Sequence, residues 1–222
     1  MKPMTPAQLA FPAFEPGLPP ALPEGLVLRR GFLDLPEQKS LWITLQEVLK
    51  AAPGVQTRTK GGGYTSAAMT NCGKVGWWSD AKGYRYTPTN PASGGPWPPF
   101  PNAFLEVVQR VMAESPWPGF APDACLINHY VKGAKMGLHQ DKDEADFSQP
   151  IVTVSLGDTA DFLIGGAARG DKAVPFKVQS GDVLLMGGAS RMRFHGIRKI
   201  YPGTSPVSDI GGRYSLTFRK AL

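Results

Sequence analysis

The segment Arg213-Tyr214-Ser215-Leu216-Thr217-Phe218-Arg219 (RYSLTFR) indicates the fold more clearly than any other part of the chain. Side chains alternate between the two faces of a strand, so the apolar Tyr214, Leu216 and Phe218 share one face. That face predicts a strand packed on a core. The other face carries Arg213 and Arg219, which lie in water if the strand is an edge strand and need an anion if the face is buried.

Short runs of the same kind precede this strand and are separated by glycine turns. Their β-branched and aromatic content predicts strands at 124–130, 151–156, 161–164 and 182–186, in addition to 214–219. Many short strands with glycine turns are typical of an all-β sandwich or a double-sheet jelly roll. We therefore predict a jelly-roll core at about 123–220, in a mainly β protein with flanking helices.

Two helices are predicted before this core. Asp34 and Pro36 are residue types that start helices, and apolar residues at helical spacing follow until Pro53-Gly54 ends the pattern. A second helix is predicted at about 102–112. The prolines of residues 1–25 disfavour helix and central strand, so this segment is expected to wrap the surface or stay mobile. Residues 26–222 are expected to form one domain.

The segment at about 60–100 has an unusual composition, with eight glycines and seven aromatic residues. Flexible backbone combined with large flat side chains suits a surface that grips flat ligands. A loop-rich hairpin whose aromatic side chains simply pack on the domain is the alternative, and composition alone favours it. The aromatic residues are Tyr64, Trp77, Trp78, Tyr84, Tyr86, Trp97 and Phe100.

The overall charge and the cysteine count restrict the class of protein. The net charge of +6 favours a polyanionic partner, and residues 186–222 hold seven basic residues and one acidic residue. A solvated basic face is the ordinary alternative. Two cysteines are too few for a secreted disulfide scaffold, which predicts a reducing cytoplasm. The N-terminus has no continuous apolar stretch, so no signal peptide or membrane span is expected.

The three histidines of the chain are few enough to compare one by one. His139 and Asp141 are two residues apart, which in an extended segment puts both side chains on one face, and His195 supplies a third ligand from a later strand. Two imidazoles and one carboxylate form the site of non-heme Fe(II) oxygenases. The alternatives are an ordinary ion pair on the surface and a hydrolytic zinc site with the same ligands. Strand alternation places His129 on the face opposite to Asn128 and Tyr130, which predicts a structural or outward-facing role.

The two arginines of the last strand bear on the choice of metal. If their face is buried, a dicarboxylate such as 2-oxoglutarate offers one anionic end to each guanidinium. Such a co-substrate accompanies iron and oxygen, and does not accompany hydrolytic zinc. The strand pattern therefore favours iron with 2-oxoglutarate and O2 over zinc.

Several stretches resemble the AlkB family of iron- and 2-oxoglutarate-dependent nucleic-acid dealkylases, and its bacterial members above all. They are Cys125–Tyr130 (CLINHY), Leu138–Glu144 (LHQDKDE), Arg213–Arg219 (RYSLTFR) and Gly62–Thr65 (GGYT), with Met69–Gly73 (MTNCG) and Trp77 after it. The likeness extends from about Gly25 to Arg219. It implies a double-stranded β-helix core, with the segment at about 60–100 as a nucleotide-recognition lid over the iron.

The resemblance also implies roles for individual residues. The implied catalytic iron ligands are His139, Asp141 and His195. Arg213 is implied to pair with the distal carboxylate of 2-oxoglutarate, in a pocket that Asn128, Tyr130 and Arg219 complete. Ser215 stands in this pocket where the bacterial pattern usually has Asn, and His129 stands where it usually has Arg. The implied substrate contacts are Tyr64, Met69, Trp77, Tyr84, Tyr86, Asp143 and Arg169.

The implied activity is oxidative demethylation of bases such as 1-methyladenine and 3-methylcytosine, which releases formaldehyde, succinate and CO2 and repairs DNA by direct reversal. The expected partner is alkylated single- or double-stranded DNA, with RNA as a further candidate, and the expected state is a monomer. A 2-oxoglutarate-dependent hydroxylase of a protein or small molecule is the first alternative. A non-catalytic nucleic-acid-binding β-barrel is the second. The aromatic lid and the basic C-terminal segment favour nucleic acid.

Overall fold

The polypeptide, seen in a computed structural model that describes residues 21–59 and 61–222, contains two antiparallel sheets, a separate hairpin and two helices. Most of the predicted proline-rich segment (residues 1–20) and Lys60 of the predicted lid lie outside the described residues. The strands are β1 (Leu26–Arg29), β2 (Ala68–Gly73), β3 (Gly76–Asp80), β4 (Gly83–Thr87), β5 (Ala124–Tyr130), β6 (Met136–His139), β7 (Ile151–Gly157), β8 (Thr159–Ile164), β9 (Val174–Val178), β10 (Val183–Met186), β11 (His195–Tyr201) and β12 (Arg213–Arg219).

The strand β12 lies inside the larger sheet, whose order is β1-β10-β7-β12-β5-β2. It pairs with β5 on one side and with β7 on the other, so the alternative of an edge strand with solvated arginines is excluded. Tyr214, Leu216 and Phe218 are buried in the core between this sheet and the helices. Arg213 and Arg219 are also buried and point to the opposite face. The alternation predicted from the sequence is therefore confirmed.

The two predicted helices cover the outer face of the larger sheet. Helix α1 (Leu35–Ala51) begins with a capping box between Asp34 and Glu37, which satisfies the first free N–H groups of the helix. Helix α2 (Asn102–Ala113) buries Phe104 and its apolar neighbours on one side. Both helices pack on the sheet in one apolar core. Because both helices pack on the outer face, the inner face of the larger sheet is not covered by them.

The smaller sheet has the order β6-β11-β8-β9 and closes a second apolar core with the inner face of the larger sheet. Two antiparallel sheets with buried inner faces form the predicted jelly roll. The strands predicted from the sequence did not include β6 or β9, and of β11 only the place of His195 on a later strand was expected. β6 has only four residues, β9 contains Pro175, and a bulge between Ile197 and Lys199 breaks the alternation of β11.

The predicted lid segment divides between two structures. β2 pairs with β5 and extends the larger sheet, whereas β3 and β4 form a two-stranded hairpin of their own. Gly212, directly before β12, must be a glycine for two reasons. Its φ is +83°, and a Cβ there would lie 2.5 Å from the carbonyl oxygen of Tyr130, the last residue of β5. Among the described residues, neither helix is long and apolar enough to cross a bilayer.

Candidate active site

The three predicted metal ligands meet in the space between the two sheets. His139 ends β6 and His195 begins β11, and the two residues are directly paired across these strands. The carboxylate of Asp141 lies 3.7 Å from His139 Nε2 and 3.6 Å from His195 Nε2. The three ligand atoms all lie within 4.8 Å of one another. This donor set of two imidazoles and one carboxylate fits Fe(II) with open positions for other ligands.

Both imidazoles are oriented by hydrogen bonds from their second nitrogen. Nδ1 of His139 lies 2.9 Å from the Gly137 carbonyl oxygen, and Nδ1 of His195 lies 3.1 Å from that of Arg193. Because a carbonyl oxygen only accepts, each Nδ1 carries the hydrogen and each Nε2 keeps a free lone pair. The two nitrogens that face Asp141 are therefore the ones that can bind a metal.

The electrostatics of the site favour the protonation states that a metal requires. Burial, together with the neighbouring His139, lowers the pKa of His195 to about 4, so this imidazole is neutral at neutral pH. Burial alone would raise the pKa of Asp141. The positive charge of Arg219 is the largest effect that opposes burial, and the two imidazoles add to it when they are protonated, so this pKa stays well below its usual range. Neutral imidazoles and an ionised carboxylate are the forms that bind metal ions.

Arg213 provides the expected anion site deeper in the same cavity. Its side chain is 1% exposed, and its Nη2 donates a hydrogen bond to Ser155 Oγ at 2.8 Å. Nε and Nη1 find no hydrogen-bond partner among the described residues. Burial lowers the pKa of Arg213 to about 10, which still leaves it charged at neutral pH. A buried cation with unused donors fits a carboxylate group.

Three predicted neighbours of Arg213 line the same cavity, namely Asn128, Tyr130 and Ser215. Within the described chain, Asn128 Oδ1 is another buried polar atom without a hydrogen-bond partner. These unsatisfied groups line the same cavity as the iron ligands and lie on two paired strands of the larger sheet, β5 and β12. The residues present therefore fit both Fe(II) and 2-oxoglutarate.

Arg219 differs from Arg213 because carboxylates of the chain already balance its charge. Its Nη2 donates to Asp141 Oδ2 at 2.9 Å, and its Nε lies 3.5 Å from Glu144 Oε1. The sequence suggested that a bound dicarboxylate neutralises both arginines. In the structure, only Arg213 still needs an anion from a ligand. Arg219 lines the cavity but is tied to an iron ligand.

Most of the predicted substrate contacts line the outer part of this cavity, whose volume is about 750 Å³. Trp77 and Tyr84 face each other across the hairpin with ring centroids 5.3 Å apart and planes inclined by 27°. Trp77 Nε1 donates to Asp143 Oδ2 at 2.7 Å. The lining also includes Tyr64, Met69 and Arg169. The hairpin thus presents aromatic rings and one carboxylate to the same space as the iron ligands.

Tyr86 was predicted to contact the substrate, but its position in the structure differs from that prediction. It is absent from the lining of the cavity, and its hydroxyl donates to Glu144 Oε1 at 2.6 Å. Burial raises the pKa of the Tyr86 phenol above its usual range, so it stays protonated and acts as a donor. Its position on β4 suggested a role like that of Tyr84, but its ring packs inward instead.

The structure also corrects the interpretation of the basic C-terminal segment as a surface for nucleic acid. Three of its seven basic side chains, Arg191, Arg213 and Arg219, are buried. Two others are engaged in ion pairs, Arg198 with Asp161 and Lys220 with Asp123. Four of the seven residues are thus paired with carboxylates of the chain and Arg213 faces the cavity, so the basic composition of this segment does not by itself support a polyanionic partner.

Two residues near the metal ligands received no role from the sequence. Glu144 and Arg191 form an ion pair at 3.0 Å in which both side chains are 2% exposed. They are 47 positions apart, so no local pattern connects them. His129, by contrast, behaves as predicted. It stacks on Tyr214 at 4.2 Å and lies outside the ligand group.

The jelly roll, the His-x-Asp and His ligands and the buried arginine together define a dioxygenase that uses Fe(II) and 2-oxoglutarate. Over residues 25–219 the chain matches the 2OG-Fe(II) oxygenase superfamily. It is 43% identical to the alpha-ketoglutarate-dependent dioxygenase AlkB of Escherichia coli (strain K12), over 95% of this chain and 96% of that protein. The chain therefore belongs to the AlkB family of this superfamily.

Two further similarities extend beyond bacteria. The solved structure of OsALKBH1 superposes with a TM-score of 0.77 at 34% identity, and the match covers 90% of this chain and 100% of that chain. The DNA N(6)-methyladenine demethylase ALKBH1C of Arabidopsis thaliana is 37% identical over 64% of this chain and 36% of that longer protein. The fold is thus shared with OsALKBH1, and the sequence similarity extends to a plant protein.

Proposed function

We propose that this enzyme removes methyl groups from alkylated bases in nucleic acid, such as 1-methyladenine and 3-methylcytosine, and so repairs DNA by direct reversal. The observation that carries this proposal is a single cavity that joins the iron ligands, Arg213 and the aromatic pair Trp77 and Tyr84. The membership in the AlkB family and the similarity to a DNA demethylase support the same substrate class.

The position of the aromatic pair suits a base that has left the duplex stack. A methyl group on a base-pairing atom is inaccessible inside a duplex, so the base must flip out or belong to a single strand. Stacking on an aromatic side chain contributes ~1–3 kcal/mol per base. Trp77 and His139 line the same cavity, and we propose that the flipped base lies between their rings.

Asp143 supplies a means of selecting damaged bases. Its carboxylate lines the cavity next to Trp77. Methylation at N1 of adenine or N3 of cytosine gives a cationic base, which a carboxylate attracts more strongly than the neutral normal base. We propose that Asp143 favours cationic lesions in this way, with Tyr64, Met69, Tyr84 and Arg169 as further contacts.

The chemistry divides between the bound groups and the residues of the chain. His139, Asp141 and His195 would hold Fe(II), which would supply the activation of O2 coupled to the loss of CO2 from 2-oxoglutarate. One oxygen atom enters succinate and the other enters the methyl group, whose carbon leaves the base as formaldehyde. Arg213 holds the co-substrate, the hydrogen bonds of both Nδ1 atoms direct Nε2 of His139 and His195 toward the metal position, and the lid holds the methyl group near the triad.

The partner and the location complete the proposal. We propose single- or double-stranded DNA as substrate, with RNA as a further candidate. A monomeric enzyme of the cytoplasm remains the expectation from the sequence. The oligomeric state and the location do not change the chemistry proposed above, because the metal ligands, Arg213 and the aromatic pair all belong to one chain.

The test is a mass-resolved assay on short oligonucleotides that carry 1-methyladenine or 3-methylcytosine. With Fe(II), 2-oxoglutarate and O2, we expect each modified strand to lose the mass of one methylene unit and one succinate to form per methyl lost. His139→Ala is the inactive control. Succinate production without loss of methyl mass from any strand would instead favour a hydroxylase of a protein or small molecule.

A further inference from the structure

The carboxylate ligand is held differently from the two imidazole ligands. His139 and His195 lie in paired strands of the smaller sheet, so the hydrogen-bonded ladder fixes their backbones. Asp141 lies beyond the end of β6, in a segment without helix or strand. The position of its side chain must therefore depend on contacts outside the ladder.

Two buried arginines make those contacts. Arg219 Nη2 donates to the Asp141 carboxylate at 2.9 Å, and Arg191 Nη1 donates to the Asp141 main-chain carbonyl oxygen at 2.7 Å. One arginine therefore fixes the side chain of the ligand and the other fixes its backbone. Arg191 also donates to the Gln149 carbonyl oxygen at 3.0 Å, which secures the far end of the same segment.

A single buried carboxylate, Glu144, connects both arginines. Its Oε2 accepts from Arg191 Nη2 at 3.0 Å, and its Oε1 lies 3.5 Å from Arg219 Nε. Buried guanidinium groups are costly unless a carboxylate is close, so Glu144 stabilises both in the positions where they hold Asp141. Glu144 is outside the ligand group and outside the cavity lining, so its influence on the metal site must act through other residues.

The same carboxylate also receives a hydrogen bond from the lid hairpin. The Tyr86 hydroxyl donates to Glu144 Oε1 at 2.6 Å. Tyr86 is paired with Trp77 across the hairpin, and Trp77 binds Asp143, the residue before Glu144. The segment that follows Asp141 is thus attached to the hairpin at two adjacent residues.

We propose that Glu144 is the positioning residue for the carboxylate ligand of the iron. It fixes Asp141 through Arg191 and Arg219, and Tyr86 fixes Glu144 from the lid. Partners that orient metal ligands without touching the metal contribute roughly 10- to 100-fold to metal affinity in other enzymes. Loss of the Glu144 charge should therefore weaken iron binding even though every ligand remains.

The experiment is an anaerobic titration of the full chain with Fe(II) in the presence of 2-oxoglutarate, followed by the visible charge-transfer band of the chelate. For Glu144→Gln, which keeps the size and removes the charge, we expect the Kd for Fe(II) to rise about 10-fold or more. Mn(II) binding by electron paramagnetic resonance should show the same loss without any turnover.

Asp161 provides a matched control at the outer face of the smaller sheet. It is a buried carboxylate that accepts from Lys177, Arg198 and the Tyr201 hydroxyl, and it has no contact with the triad. Asp161→Asn should lower the melting temperature while the Kd for Fe(II) stays at the wild-type value. A wild-type Kd for Glu144→Gln, or the same rise in Kd for both variants, would overturn the proposal.

Tyr86→Phe keeps the proposal testable if Glu144→Gln does not fold. It removes one hydroxyl, so we expect a smaller rise in the Kd for Fe(II), of about 3-fold, because only part of the free energy of this one hydrogen bond acts on Asp141. Tyr201→Phe is the corresponding control, because it removes a hydroxyl from Asp161 at 3.0 Å. Equal Kd values for Tyr86→Phe and the wild type would contradict the link from the lid to Asp141.

Discussion

The two ends of the active-site cavity are built in contrasting ways. At the deep end, His195 and Arg213 are buried and the Asp141 side chain is 9% exposed, and ion pairs and hydrogen bonds fix these side chains on or beside paired strands. At the lid, Tyr64 and Tyr84 are 69% and 47% exposed, and a two-stranded hairpin carries most of the aromatic contacts. The contrast indicates that the site for iron and co-substrate is preorganised, whereas the substrate contacts lie on a surface that can adjust. Substitutions at the two ends should therefore separate chemistry from substrate binding.

The largest effect is expected from His139→Ala at the deep end. Loss of a ligand should lower 2-oxoglutarate turnover at least 100-fold, about the upper limit for residues that only support a ligand. Succinate formation measures this, and oligonucleotide binding should weaken only about 10-fold, the loss expected for one stacking partner of the base. His129→Ala is the matched control, because His129 packs on Tyr214 and lies outside the ligand group. Full succinate production by His139→Ala would refute the iron assignment.

Arg213→Gln should mainly affect the co-substrate. Because loss of one partner from a buried charge pair costs ~2–5 kcal/mol, the KM for 2-oxoglutarate should rise about 100-fold. kcat at saturating 2-oxoglutarate should change much less, since the iron ligands remain. Arg198→Gln removes a half-exposed arginine outside the cavity and should leave this KM unchanged. Similar values of KM in the wild type and Arg213→Gln would mean that the distal carboxylate binds elsewhere.

Trp77→Ala should affect the lid alone. Loss of one stacking partner worth ~1–3 kcal/mol should raise the Kd for a methylated oligonucleotide about 10-fold. The Kd for 2-oxoglutarate, measured by the charge-transfer band, should stay the same. Trp78→Ala, on the opposite face of β3, is the control and should bind the oligonucleotide like the wild type. An equal loss of both ligands in Trp77→Ala would show that Trp77 supports the fold.

The smallest effect is expected from Asp143→Asn, which keeps an acceptor for Trp77 and removes the charge. A partly solvated charge interaction contributes ~1 kcal/mol, so the preference for a cationic over a neutral methylated base should fall about 5-fold. The ratio of kcat/KM for 1-methyladenine and a neutral N3-methylated thymine measures this preference. Asp146→Asn, outside the cavity, serves as the control. An unchanged ratio in Asp143→Asn would remove the charge-based filter from the proposal.

The two ends of the cavity also differ in how well the sequence predicts them. The deep end was predictable because β12 has unbroken alternation, and because three histidines leave few candidate ligands. The sequence could not predict that Tyr84 lines the cavity while Tyr86 does not. Both lie on the same strand, and the residues around them come from distant segments. Glu144 and Arg191 were missed for the same reason. Their pairing depends on the tertiary fold and leaves no periodic signal in the chain.

The two unsatisfied donors of Arg213 have a consequence for the lifetime of the protein. An anion that pairs with this buried cation stabilises the folded state by mass action, and a ligand present at 100 times its Kd contributes about 2.7 kcal/mol. Proteases act on the small unfolded fraction, which such a contribution reduces roughly 100-fold. We therefore expect proteases to degrade the protein more slowly in cells rich in 2-oxoglutarate. A larger supply of the co-substrate should then raise the amount of enzyme in the cell as well as its rate.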